Sequence, residues 1–461
     1  MRIIVLGGGP GGYVAALKAA QLNAQVTVVE KDEVGGTCLN WGCIPTKTIM
    51  ASTEVLRKTR NLADYGIDLN GTVSPNLSKI MERKDKVVAI QVKGIRGLLK
   101  HWGVTLVEGK GMLLDPLKVE VEKKEGTREV LEGDRVIIAT GSRPSRIPMF
   151  PFEGERILSS DDAVRVREIP KSLLIVGAGV IGCEFACIFS ELGAEVTMVE
   201  QLPRAVATED FEISEQLERE LKKKQIRLFT GAEVAKVERR EDGMHSFLSD
   251  GREIIAEKIL VAVGRALNSE NIGLEAVGVN KGPRGEIIVD EKMETNVKGV
   301  YAVGDVVGGM LLAHKASREG IVAASNACGN EMTMDYSVVP SAIFTSPEIA
   351  SLGMREQLAA EKGMNIKVGR FQFRTLAKAH AIGEISGFFK IIADAETDRI
   401  LGAHIIGPHA SELIHEVAVA MRAGLKTRDI AETIHAHPTL SEGLMEASED
   451  VHHEAIHASR R

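Results

Sequence analysis

Shifted by 170 residues, the chain matches itself: LGGGPGGYVAALKAAQLNAQVTVVE, Leu6 to Glu30, aligns with VGAGVIGCEFACIFSELGAEVTMVE, Val176 to Glu200. Each copy reads as an apolar strand, a glycine turn, a helix and a second strand ending in Glu. Gly7, Gly9 and Gly12 correspond to Gly177, Gly179 and Gly182, and Glu30 to Glu200. In such a βαβ unit the first glycine makes the turn, the second lets the backbone approach a pyrophosphate, and the third lets helix and strand pack closely. The phosphates sit at the helix N-terminus, where free N–H groups and the dipole attract anions. The terminal Glu accepts hydrogen bonds from a ribose 2′-OH. One glycine pattern alone is weak evidence, and two sharp turns without a ligand are the alternative. Two copies in full βαβ context, each ending in Glu at the same offset, favour two dinucleotide sites.

A second echo supports this. RVIIATGSRP, from Arg135, resembles KILVAVGRALN, from Lys258, and both runs end at a glycine, Gly141 and Gly264. Each closes its own nucleotide domain, so two cofactors are expected, a flavin and a nicotinamide dinucleotide. Glu200 favours NAD over NADP, because a carboxylate repels a 2′-phosphate; Arg204 is the nearby cation that could offset it. TNVKGVYAVGDV, Thr295 to Val306, reads as a strand delivering Asp305 into a turn. There it either bonds a ribityl hydroxyl or is an ordinary turn Asp.

Composition narrows the function classes. At 461 residues, about three domains are expected. With 57 basic and 64 acidic side chains the net charge is −7, which carries no basic nucleic-acid footprint. No apolar run approaches the ~20 residues of a membrane span. The first strand-like run begins at Ile3, which leaves no room for a leader and makes a cytoplasmic protein the expectation. Five cysteines do not make a disulfide framework.

Two of those cysteines carry the chemistry. GGTCLNWGCIPTK, Gly35 to Lys47, places four residues between Cys38 and Cys43. On an ideal helix, positions five apart point roughly 140° away from each other. A disulfide here needs a distorted first turn, which Asn40 and Gly42 permit, and Pro45 fits the start of the regular helix. A helix N-terminus increases the reactive thiolate. Two thiols beside a flavin-binding turn make a redox pair, against a half metal site or two core cysteines. Cys183 and Cys187, among Phe185, Ile188 and Phe189, read as buried inert thiols, as does Cys328.

These segments resemble the pyridine nucleotide–disulfide oxidoreductases, from Met1 to about His457. GGTCLNWGCIPTK is close to that family's disulfide signature, with Trp41 where a smaller apolar residue is common. LLAHKASREG, from Leu311, is similar to the lipoamide-linked branch, and HAHPTLSEGLMEA, from His435, to the C-terminal active-site segment. The resemblance implies two Rossmann-like domains for FAD and NAD plus a C-terminal α+β dimerisation domain. It implies oxidation of protein-bound dihydrolipoamide to lipoamide with NAD+, through a Cys38–Cys43 disulfide and FAD. Substrate thiolate would attack Cys38, and Cys43 would lie nearer the flavin. His437 matches the catalytic base, Glu442 its orienting carboxylate, and His435 is a nearby distractor. In the family the base serves the partner subunit, which implies a homodimer. The other implied partner is a lipoylated acyltransferase or lipoyl carrier protein of a 2-oxo acid dehydrogenase or glycine cleavage system.

Further positions match singly. Gly36, Thr37, Gly111, Thr140, Gly141, Asp305, Leu311, Ala313 and His314 match flavin contacts. Lys47 and Glu184 match a charged pair beside the flavin, Glu184 lying on the helix of the nicotinamide unit. Val234 and Gly264 match nicotinamide-nucleotide positions. The expected division is residues 1–143 for FAD and the cysteines, 144–270 for NAD, 271–335 completing the FAD site, and 336–461 for the interface. HHEAIH, His452 to His457, reads as a helix at the dimer surface rather than a metal site, and Lys222 to Lys224 as a solvated face. Two rivals are a reductase of another disulfide and a non-catalytic flavoprotein subunit of a multienzyme complex.

Overall fold

Runs of branched apolar residues make the strands that carry the repeat. In the computed structural model, which describes residues 1–458, the first copy forms strand β1 (Arg2–Leu6), helix α1 (Pro10–Gln21) and strand β2 (Gln25–Glu30). β1 lies between β2 and strand Arg135–Ile138 in a five-stranded parallel sheet with edges Val300–Ala302 and Thr105–Glu108. Ile3 to Leu6 are all buried, as a strand covered on both faces requires. Ile3 and Val5 pack with α1 and helix Ala313–Ala327. Ile4 and Leu6 face Leu113, Val119 and Val121 of a small antiparallel sheet.

The second copy repeats the geometry. Strand Ser172–Val176, helix Val180–Leu192 and strand Glu195–Val199 follow in order. The register runs from Ser172 opposite Glu195 to Val176 opposite Val199, as Arg2 to Leu6 runs opposite Gln25 to Val29. Strands Arg227–Phe229, Lys258–Val261 and Ile157–Leu158 complete this parallel sheet. Residues 341–407 contribute five antiparallel strands. Their core centres on Phe373 and Phe389, stacked 4.3 Å apart, under helices Ala410–Arg422 and Glu442–Asp450.

The chain packs as two units, and both are discontinuous. One holds 1–146, 159–168 and 264–335; the other holds 147–158, 169–263 and 336–461. Within the second unit a buried ionic cluster links the nucleotide fold to the antiparallel sheet. Lys390, in strand Phe388–Asp394, bonds Asp210 at 2.8 Å, Glu212 at 2.9 Å and Glu356 at 2.6 Å. Arg370 bonds Glu212 and Glu356. Among the described residues no helix is long and apolar enough to cross a membrane.

Two surface expectations are corrected. The helix ends at Asp450, and His452 to His457 form turns and bends. Two of the three imidazoles bond residues outside the run: His452 bonds Thr427 and Asp398, and His457 bonds Glu446. Lys224 is not a solvated charge; it is largely covered and bonds the buried Glu191 at 2.7 Å.

Candidate active site

Both glycine turns are held by the acidic residue that ends the second strand. Glu30 accepts the N–H of Gly8 at 2.6 Å and of Asp32 at 2.8 Å. Glu200 accepts the N–H of Ala178 at 2.6 Å and of Leu202 at 2.8 Å. Each carboxylate staples its turn to the strand end. Burial raises the Glu30 carboxyl above its ordinary value, against the pull of the two N–H groups. Gly7 and Gly177 adopt φ of +108° and +101°. A Cβ on Gly12 would stand 1.8 Å from the Gly7 carbonyl oxygen, and one on Gly182 2.0 Å from that of Gly177. These are the close helix–strand approaches that only glycine allows. At the middle glycines the turn is open: a Cβ on Gly179 would meet nothing within 4 Å, and one on Gly9 only Gly36 at 3.8 Å. Neither α1 nor helix Val180–Leu192 has a side-chain N-cap. An open mouth at an uncapped helix N-terminus fits a pyrophosphate.

The cysteine segment sits on the first of these turns. Helix α2 (Gly36–Asn40) ends at Trp41, and helix α3 (Cys43–Thr59) begins after Gly42. The break brings the two thiols together from separate helices, so the angular mismatch of one continuous helix never arises. A Cβ on Gly42 would press to 3.0 Å of the Thr37 carbonyl oxygen and 3.4 Å of Cys38 Cα. Asn40 fastens the loop by donating to the carbonyls of Val34 (3.1 Å) and Gly36 (3.0 Å). The Gly35 N–H bonds Gly8 O at 2.8 Å, and a Cβ on Gly36 would lie 2.7 Å from Gly9 Cα. Cys38 is half-buried and Cys43, at the N-terminus of α3, is exposed. Contact with Cys43 and burial push the Cys38 thiol far up, while the Lys47 ammonium pulls the other way.

Asp305 lies in a single turn of 3-10 helix, Gly304–Val307, after strand Val300–Ala302. It accepts the Ser142 hydroxyl, and Ser142 in turn accepts from Arg265 Nε at 2.7 Å. Thr140 and Asn268 exchange two bonds of 2.8 and 2.9 Å, which joins the two echo segments. Thr37 Oγ1 reaches Ser142 O only at 3.5 Å. Gly141 (φ +70°) and Gly264 (φ +123°) line turns with room beside them. Gly111 has a packing reason: a Cβ there would strike Leu6 at 2.3 Å. Ala313 and His314 open the helix Ala313–Ala327 just after exposed Leu311. Val234 is buried among Phe150, Leu248 and Ile259.

The C-terminal segment forms its own dyad. His437 Nδ1 and Glu442 Oε1 are 2.9 Å apart, and Glu442 Oε2 accepts the Thr439 N–H at 2.8 Å. Burial opposes the charge on Glu442, yet the Thr439 N–H and the His437 ring hold its carboxyl below the ordinary value. The His437 side chain is 71% exposed. His435 is instead almost covered and bonded to Glu416 at 2.9 Å. Glu184 is buried and accepts the Phe344 N–H at 2.9 Å. The buried pair Lys315 and Glu319 went unnoticed at the sequence level, although a Lys and a Glu one turn apart among alanines signal it.

Residues 1–320 match the family model described as pyridine nucleotide-disulphide oxidoreductase, and residues 339–448 match its dimerisation domain. The chain belongs to the pyridine nucleotide-disulphide oxidoreductases. Within that family it is 42% identical over 469 residues to the dihydrolipoyl dehydrogenase of Bacillus subtilis strain 168, covering 99% of this chain and 98% of the relative. It is 40% identical over 462 residues to the mitochondrial dihydrolipoyl dehydrogenase of Pisum sativum, covering 99% and 92%. Among solved structures it is similar to LpdA from Mycobacterium tuberculosis, with a TM-score of 0.92 at 32% identity over 97% of this chain and 99% of that one.

Proposed function

We propose that this oxidoreductase is a dihydrolipoyl dehydrogenase, oxidising protein-bound dihydrolipoamide to lipoamide with NAD+. Its cofactors are FAD and NAD. The observation that carries the reading is the thiol pair, Cys38 against Cys43, docked through Gly35 and Gly36 on a dinucleotide turn. FAD, when bound, would supply a two-electron acceptor for the reduced thiols and a donor to NAD+.

The chain's own residues handle the sulfur and proton steps. His437 removes a proton from one substrate thiol, with Glu442 fixing the ring through Nδ1. The substrate thiolate attacks Cys38, the Cys38–Cys43 bond breaks, and a mixed disulfide forms. The second substrate thiol gives up its proton and attacks the substrate's own sulfur in that mixed disulfide, releasing lipoamide and expelling Cys38, which leaves the pair reduced by two electrons. Exchange of this kind is reversible. Gly7, Gly9, Gly12, Glu30, Lys47 and Asp305 would hold FAD; Gly177, Gly179, Gly182 and Glu200 would hold NAD.

The base reaches the cysteines of a second copy in a homodimer. Supporting this, His437 and Glu442 lie in the segment matched by the dimerisation domain, and Ile434 beside them is 96% exposed. Residues 1–143, 144–270, 271–335 and 336–461 then act as FAD, NAD, central and interface parts. The lipoyl group would arrive on an acyltransferase or carrier protein in the cytoplasm. Anaerobic titration with dihydrolipoamide, followed by visible absorbance, tests the reading. Flavin absorbance should fall, and NAD+ should restore it with release of NADH. Reduction by NADH but not by dihydrolipoamide would move the substrate to another disulfide.

A further inference from the structure

Lys315 and Glu319 stand one turn apart on helix Ala313–Ala327, with side chains 2% and 0% exposed and 3.1 Å between Nζ and Oε1. Their remaining valences converge on the turn that carries Asp305. Lys315 Nζ donates to the carbonyls of Gly304 at 3.3 Å and Gly308 at 3.2 Å. Glu319 Oε2 accepts the Gly304 N–H at 2.7 Å. The pair therefore grips the residue before Asp305 by both its N–H and its carbonyl, and the residue that closes the turn by its carbonyl.

That turn needs an external hold. Gly304, Gly308 and Gly309 all have positive φ, of +80°, +73° and +67°. Glycines lose the most conformational freedom when fixed, so this stretch has little stiffness of its own. The helix that fixes it is anchored in turn: a Cβ on Gly320 would lie 2.4 Å from Gly11 O. Backbone thus meets backbone between this helix and α1, whose N-terminus forms the first nucleotide turn.

Burying an ion pair costs desolvation that its attraction does not reliably return, and an apolar pair of equal volume serves stability as well or better. The geometry points to Lys315 and Glu319 as positioning residues that set the Asp305 carboxylate for the flavin cofactor. This rests on the reading of Asp305 as a contact to FAD.

The test compares FAD release from holoenzymes, by flavin fluorescence in mild chaotrope, with thermal unfolding by far-UV circular dichroism. The variants are Asp305→Ala, Lys315→Met/Glu319→Leu, and the triple combination. The double variant leaves three buried backbone groups without these partners, so it should melt below the wild type; below its own melt it should release FAD about tenfold faster, as for one lost charged hydrogen bond. The triple variant should release it no faster than Asp305→Ala alone, because the pair acts through that residue. Multiplying effects, or a double variant at the wild-type rate beside a fast Asp305→Ala, would overturn the positioning role alone. An Asp305→Ala enzyme at the wild-type rate would overturn the reading of Asp305 beneath it. If the double variant does not fold, Glu319→Asp, which keeps both charges but draws the carboxylate back from the Gly304 N–H, makes the same comparison of release rates, with the same expected and overturning results.

Discussion

Contact with Cys43 and burial hold the Cys38 thiol above its ordinary range, while Cys43 stands at the N-terminal end of α3, where the helix dipole favours negative charge. Cys43→Ser should abolish lipoamide turnover while FAD stays bound, since the dinucleotide turn rests on Gly7, Gly12 and Glu30. Steady-state assay together with the flavin spectrum of the purified variant checks both halves. Coenzyme choice should also turn on single residues. Glu200 is pinned by two N–H groups at the strand end. Arg204 lies 3.8 Å over the Phe211 ring and donates to the Ala207 carbonyl, so it is engaged elsewhere. NAD should be preferred to NADP by at least ~100-fold in kcat/KM, measured side by side.

Among the elements, the two βαβ copies were legible because everything that builds them is local: two strands, three glycines, a helix and a Glu within 29 residues. The glycines make the copies separable by experiment. Gly182→Ala must push helix Val180–Leu192 off the Gly177 carbonyl, a cost of about 1–3 kcal/mol or more. It should weaken NADH binding, read by fluorescence quenching, and leave the flavin spectrum intact. Gly12→Ala should do the reverse. The need for a distorted turn between Cys38 and Cys43 was also legible, because the angular argument depends on spacing alone. The sequence did not show that the distortion is a full break between two helices. That follows from Gly42 packing on Thr37 and Cys38, and packing is not a local property. HHEAIH misled for a similar reason: Thr427 and Asp398 bond His452 and Glu446 bonds His457, partners that lie outside the run.

On the scale of the whole molecule, stability responds to acid through groups far apart in sequence. Lys390 and Asp210 are 180 positions apart, so their bond was invisible beforehand. The signal was a lysine inside the apolar run Phe388 to Ile392. Burial alone would raise the Glu212 carboxyl, yet bonds from Arg370 and Lys390 hold it at about 2, against an ordinary 4.5. Its folded form thus favours the charged state. The stabilisation is complete above about pH 4.5 and drains away as pH falls toward 2. Lys390→Met leaves Asp210 buried and unmatched, a loss of about 3–5 kcal/mol, and should flatten that acid limb. Thermal unfolding across pH 2–6 compares the two. Assembly is testable by mixing dead variants. Cys43→Ser and His437→Gln, unfolded and refolded together, should recover roughly a quarter of wild-type activity, because about half the dimers are mixed and each has one intact site of two. No recovery from proven heterodimers would put the base in the same chain as the cysteines. The interleaving of the two units bears on how the protein is made. Strand Arg135–Ile138 pairs on one side with β1 at once, but its other neighbour, Val300–Ala302, emerges 162 residues later. At about 5–20 residues per second a ribosome takes roughly 8–30 seconds to cover that distance. For that interval the nascent sheet carries an open strand edge, the kind of surface that recruits other chains. The first unit is begun first and closed late, so a ribosome stalled near residue 263 holds a chain in which neither unit is complete.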